Sequence, residues 1–123
     1  MPELKKYKMF INGEWVNSDT KKTFETLNPE NNKPWAVVPE ASASDVDKAV
    51  KAAQNAFEGE WPKLLPKERA RYLRMIGDKL RDNAEHLGKI ETIDTGKLYR
   101  ETYKQANYIA EYYDYYAGLA DKV

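Results

Sequence analysis

The chain has 123 residues, no cysteine, and 20 Lys plus Arg against 20 Asp plus Glu, so its formal net charge is zero. With 41% hydrophobic and 33% charged residues it has a globular composition, and one domain of this length buries about two-thirds of its unfolded surface. The missing cysteines exclude disulfides, thiolate metal sites and a cysteine nucleophile and suit a cytoplasmic setting, while the balanced charge gives no pull toward nucleic acid or anionic membrane.

The opening MPELKKYKMF has no apolar stretch behind its lysines and does not read as a signal peptide. No apolar run approaches the ~20 residues of a membrane span. The region from about 8 to 41 reads as extended. In MFINGEWV, Asn12-Gly13 is the dipeptide that best tolerates positive φ in a two-residue hairpin. TFETLNP stops at the turn signal Asn28-Pro29, and PWAVVPE is a short apolar strand closed by Pro39.

From Ser42 the period changes to that of helices. Ser44 and Asp47 resemble a capping box, and Val46, Val50, Ala53 and Phe57 share a face, which predicts a helix over about 44–58 ended by Gly59. Pro66 suits the first turn of a second helix, expected over about 66–94, with Leu73, Ile76, Leu80, Ala84, Leu87, Ile90 and Ile93 as its stripe. A third helix is expected over about 99–121, with Ala106, Ile109, Ala110, Tyr113, Ala117 and Ala120 on one face. A short set of strands followed by three helices completes no βαβ crossover, so as a free-standing unit the chain looks unfinished.

Asp94-Thr95-Gly96 is the motif of aspartic proteases, which hold it in a loop of an all-β subunit so that two carboxylates can share a proton. Here a 3.6-residue period runs on both sides of it, so Gly96 reads as the residue that ends a helix. Such an end leaves carbonyls without partners and carries partial negative charge, and the Asp94 carboxylate makes it an oxygen-rich corner suited to a hard cation. His86 lies off the apolar stripe with no partner for a triad or zinc site, and Ser42 and Ser44 suit caps better than nucleophiles. Tyr108, Tyr112, Tyr113, Tyr115 and Tyr116 crowd the third helix, interleaved with Glu111 and Asp114, which favours packing on two sides over base stacking. Neither a G-x-G-x-x-G nor a G-x-x-x-x-G-K-[ST] phosphate loop occurs.

The blocks FINGEWV, TFETLNP, SASDVDKAVKAAQNAF, PKERARYL, IETIDTGK and YYAGLADKV stand in the order and spacing of the N-terminus of the NAD(P)-dependent aldehyde dehydrogenases, which residues 8–123 resemble. TFETLNP, ETIDTGK and YYAGLADKV are most similar to the betaine aldehyde dehydrogenase branch. The resemblance implies an α/β aldehyde dehydrogenase-like fold, of which residues 1–123 are the N-terminal part of the cofactor-binding domain. It implies a complete enzyme that oxidises an aldehyde, betaine aldehyde on the narrower likeness, to a carboxylate with NAD or NADP, as a cytoplasmic homo-oligomer. The family's cysteine nucleophile, its glutamate and its cofactor-binding turn lie downstream, so no catalytic or cofactor-binding residue is assigned, and the chain alone is expected to be inactive and to pack against the remainder of the same polypeptide. The resemblance also implies a monovalent cation, typically potassium, held by Thr26, Leu27 through its carbonyl, and Asp94. Leu98 stands where the family usually has proline after DTGK, which costs some rigidity at the start of the third helix. The alternative from another class is a non-catalytic helical interaction module whose tyrosine face binds a partner or itself.

Overall fold

The computed structural model describes residues 4–122. The chain forms two compact units, Met1–Pro62 and Lys63–Val123. Strands β1 (Lys5–Lys6), β2 (Met9–Ile11), β3 (Glu14–Val16), β4 (Thr23–Asn28) and β5 (Lys33–Pro39) precede helix α1 (Ala43–Glu58) in the first. The hairpin forms as expected: β2 and β3 pair antiparallel with Ile11 opposite Glu14, and Asn12 (φ 53°) and Gly13 (φ 82°) make the turn. The second sheet has the order β1-β5-β4, with β1 parallel and β4 antiparallel to β5. The extended region thus starts at Lys5, earlier than expected, because pairing with β5 supplies an order that a Lys-Lys dipeptide does not signal. Along β4 the register slips at Trp35, since Thr26 faces Ala36 while Leu27 faces Pro34. Pro34 has no N–H to give the ladder at that point.

The cap of α1 lies two residues before the expected Ser44–Asp47 pair. Ser42 is the N-cap, its Oγ accepting from the Asp45 N–H at 3.1 Å, and the Asp45 carboxylate accepts from the Ser42 N–H at 3.0 Å. Asp45 wins over Asp47 because it has a further partner: Ser18, in the loop after β3, donates its hydroxyl to it at 2.8 Å.

A single 3-10 turn, Trp61–Lys63, precedes α2 (Pro66–Asp82), α3 (Ala84–Thr95) and α4 (Tyr99–Leu119). Pro66 opens α2 as expected, and Glu68 accepts from the Leu65 N–H at 2.7 Å. The helix expected over 66–94 is divided in two at Asn83 (φ −112°, ψ 11°). There both the Asn83 N–H and its side-chain Nδ2 donate to the Lys79 carbonyl, at 3.2 and 2.8 Å. An asparagine side chain competing for a backbone carbonyl ends the first helix, and the Asn83 carbonyl, accepting from Leu87 N–H at 2.9 Å, starts the next. One intervening residue hardly disturbs the apolar period, so the division was invisible to it.

α4 packs against both α2 and α3 through small residues. Thr102, Ala106, Ala110 and Ala117 of α4 are buried, as are Ala70 and Gly77 of α2 and Ala84 and Gly88 of α3. A Cβ on Gly88 would stand 3.0 Å from the Tyr103 nitrogen, and one on Gly77 3.2 Å from the Ala110 carbonyl oxygen. Arg81 and Asp114 add an ion pair between α2 and α4. The stripe expected to be core is therefore displaced: Ile76, Leu87 and Ile93 remain exposed, as do Val46, Val50 and Phe57 on α1. Among the described residues no helix is long and apolar enough to cross a membrane.

Candidate functional site

At the end of α3, Gly96 adopts the left-handed conformation (φ 75°, ψ 5°) and donates its N–H to the Thr92 carbonyl at 2.9 Å. Asp94 and Thr95 occupy the last turn, so the protease-like motif stands at a helix end and not in a strand-flanked loop. Thr95 Oγ1 donates to the Glu91 carbonyl at 2.7 Å, and Lys97 Nζ to the Glu91 carboxylate at 2.7 Å. Behind this end lies a hydroxyl clamp that periodicity did not mark. Thr102 Oγ1, fully buried, shares its one hydrogen between the Gly88 and Tyr99 carbonyls, at 2.9 and 3.0 Å, and stands 3.0 Å from Thr92 Oγ1. The clamp fixes the α3–α4 corner that carries Asp94.

The other two cation candidates, Thr26 and Leu27, lie in β4 beside the register slip, in the first unit, while Asp94 belongs to the second. Their donor chemistry is a hydroxyl, backbone carbonyls and one carboxylate. Carbonyl oxygens with a single negative charge suit a weakly hydrated monovalent cation better than zinc, which seeks nitrogen and sulfur. In donor type the three residues fit the cation that the resemblance implies. No group of three or more His, Cys, Asp and Glu able to hold a metal occurs among the described residues. His86 is exposed on α3.

The tyrosines of α4 form paired edges. Tyr108 and Tyr112 stack at 5.0 Å and 82° with hydroxyls 3.0 Å apart, and Tyr115 and Tyr116 at 5.3 Å and 85°. The bond from Tyr108 raises the Tyr112 phenol pKa above its ordinary value. Tyr115 is 63% exposed, so most of this aromatic area is not covered within the chain.

The sequence matches the aldehyde dehydrogenase family over residues 15–123. The chain belongs to that family. A (Z)-2-((N-methylformamido)methylene)-5-hydroxybutyrolactone dehydrogenase of Acinetobacter baylyi is 40% identical over 121 residues, 98% of this chain and 24% of the relative. A betaine aldehyde dehydrogenase of Bacillus subtilis is 38% identical over 115 residues, 93% of this chain and 24% of that protein. The crystal structure of a betaine aldehyde dehydrogenase variant from Staphylococcus aureus, in complex with NAD+, superposes with a TM-score of 0.90 at 39% identity, covering 94% of this chain and 24% of that one. The chain thus spans about a quarter of the length of the aldehyde dehydrogenases it matches. Its strands and four helices have the fold of an aldehyde dehydrogenase over that length.

Proposed function

We propose that residues 1–123 are the N-terminal part of the cofactor-binding domain of an NAD(P)-dependent aldehyde dehydrogenase whose complete chain oxidises an aldehyde to a carboxylate. The observation that carries this is the family match over residues 15–123. NAD as the cofactor is supported by the NAD+ complex of the similar Staphylococcus aureus enzyme. Betaine aldehyde as the substrate is supported by the likeness to two betaine aldehyde dehydrogenases, although a dehydrogenase named for a butyrolactone is just as similar at 40% identity. Such a quarter of the chain carries the family's scaffold and leaves substrate choice to residues downstream. The complete protein acts in the cytoplasm as a homo-oligomer, without nucleic acid or membrane as partner.

The 123 residues hold no cysteine, hence no thiol to attack an aldehyde carbonyl. The complete polypeptide is expected to form NADH on addition of aldehyde, whereas the 123-residue chain forms none. Turnover by the purified short chain, or its absence from the complete polypeptide across a panel of aldehydes that includes betaine aldehyde, opposes the reading.

Thr26, Leu27 and Asp94 hold a potassium ion in the complete enzyme, on the donor chemistry described above. Potassium is then expected to raise its Tm more than choline does at equal ionic strength, and Asp94→Ala to remove the difference. A potassium effect that survives the substitution takes Asp94 out of the site.

The second reading, a helical interaction module, draws on the exposed tyrosines of α4. Light scattering separates the two: a stable homodimer of the short chain favours the module, and a poorly defined aggregate favours the dehydrogenase segment.

A further inference from the structure

The loop joining β3 to β4 is held with unusual firmness for a surface turn. Ser18 donates its hydroxyl to the buried Asp45 carboxylate at 2.8 Å, and the Asp19 N–H reaches the same carboxylate at 3.3 Å. Lys21 closes a turn on the Ser18 carbonyl at 2.9 Å, Lys22 N–H meets Thr20 Oγ1 at 3.3 Å, and the Lys22 carbonyl accepts from Glu40 N–H at 3.0 Å. Lys21 sits at φ 58°, the left-handed region that a long side chain rarely adopts, so the turn is over-determined by its surroundings. The result is that two adjacent lysines are presented from an ordered backbone.

They line a pocket of about 290 Å³ together with Lys6, Tyr7, Ser18 and Thr23. This volume lies at the lower end of the roughly 300–1,000 Å³ of small-ligand sites. Among the described residues, neither Lys21 nor Lys22 has a carboxylate partner. Two acids that meet this loop are already committed: Asp45 of α1 to the donors just named, and Asp19 to Lys48 at 3.8 Å. The Tyr7 ring is fixed edge-on to Trp35 at 6.1 Å with Lys5 Nζ over it at 4.8 Å, and the Tyr7 N–H is bonded to the Val37 carbonyl at 2.9 Å. Yet its hydroxyl, closed to water, has no hydrogen-bond partner among the described residues. A buried orphan donor in the same pocket as the Lys21 and Lys22 ammonium groups is the complement of an acceptor-rich anion.

We propose that this pocket binds a small phosphate-class oxyanion, held by the ammonium groups of Lys21 and Lys22 and by the Tyr7 hydroxyl. A tetrahedral oxyanion offers several acceptors to donors arriving from the β3–β4 loop and the Tyr7 ring at once. The lysine stems are flexible enough to swing onto it. The site stands entirely within the first unit and does not depend on the dehydrogenase reading.

The test is calorimetric titration of the protein at constant ionic strength with inorganic phosphate and with glycerol 3-phosphate, chloride serving as the reference. Saturable binding of either phosphate, and not of chloride, is expected; tighter binding of the ester assigns the site to an organic phosphate, and binding of inorganic phosphate alone to the free ion. Lys21→Ala combined with Lys22→Ala should weaken binding roughly tenfold or more. Tyr7→Phe should weaken it about fivefold while raising the Tm of the ligand-free protein, because the orphan hydroxyl is gone. Phosphate binding no tighter than chloride, or an affinity unchanged in either variant, overturns the proposal.

Discussion

At Asp45 four donors converge on one carboxylate: the Ser42 N–H and hydroxyl at 3.0 Å each, the Ser18 hydroxyl at 2.8 Å and the Asp19 N–H at 3.3 Å. The Ser42 N–H does most to lower its pKa, from 3.8 to about 2, with the two serine hydroxyls and the Asp19 N–H adding to it and burial opposing. A depressed folded-state pKa adds stability that is fully present above about pH 4 and is lost as pH falls through about 2. Asp45→Asn should therefore be less stable than the parent at neutral pH, with the gap closing as pH falls from about 4 to 2. Urea midpoints measured across that window check this, and a gap independent of pH would mean that the charge on Asp45 is not what holds the loop to the helix. Ser42→Ala removes the N-cap acceptor and should cost about 1 kcal/mol at neutral pH. The Ser-x-x-Asp spacing occurs at 42/45 as well as at the expected 44/47. Only the Ser18 hydroxyl, distant in sequence, decided between them.

At the scale of the helices, a seam of small residues determines how closely backbones approach. Gly88 lets α3 run against Tyr103 of α4, where an added Cβ would meet backbone atoms at 3.0 and 3.1 Å. Backbone cannot rotate aside as a side chain can, so Gly88→Ala should destabilise by about 1–3 kcal/mol despite the better helix propensity of alanine. Gly118, in the last turn of α4, has nothing within 4 Å of such a Cβ. There Gly→Ala should stabilise by about 0.5–1 kcal/mol, the propensity acting alone. Thermal melts of the two variants should move in opposite directions; a shared direction would place the glycine effect in propensity and not in packing. Apolar periodicity marked Ala84, Ala106, Ala110 and Ala117, which do lie in this seam, together with Leu73, Ile76, Leu87 and Ile90, but gave no signal for Gly77, Gly88 and Thr102, which let the backbones approach.

Over the whole chain, each fully enclosed apolar residue among those described is an alanine, and the largest enclosed side chain is that of Thr102. Phe57 is 67% exposed and Trp15 66%, with Met75, Ile76 and Tyr115 likewise open. Burying one large apolar side chain is worth about 1.5–3 kcal/mol, so much of the stabilisation this sequence can supply is unrealised within 123 residues. That agrees with a chain that spans about a quarter of its relatives' length. An apolar dye such as ANS should fluoresce strongly with the 123-residue chain and weakly with the complete polypeptide that the proposed function requires. Equal dye binding by both would mean that the rest of the polypeptide leaves this surface uncovered.

The sequence by itself determined the local chemistry: the Asn12-Gly13 hairpin, the left-handed Gly96, the Pro66 helix start and the family, because each is written in residues adjacent along the chain. Ordered motif blocks likewise identify the family from about a quarter of its relatives' length. Tertiary structure alone decided the choice of Ser42 over Ser44 as the cap, the parallel pairing of β1 and the orphaned Tyr7 hydroxyl. Each of these is settled by a competition for hydrogen-bond partners or for close backbone approach, and a one-dimensional pattern of apolar and polar residues carries neither.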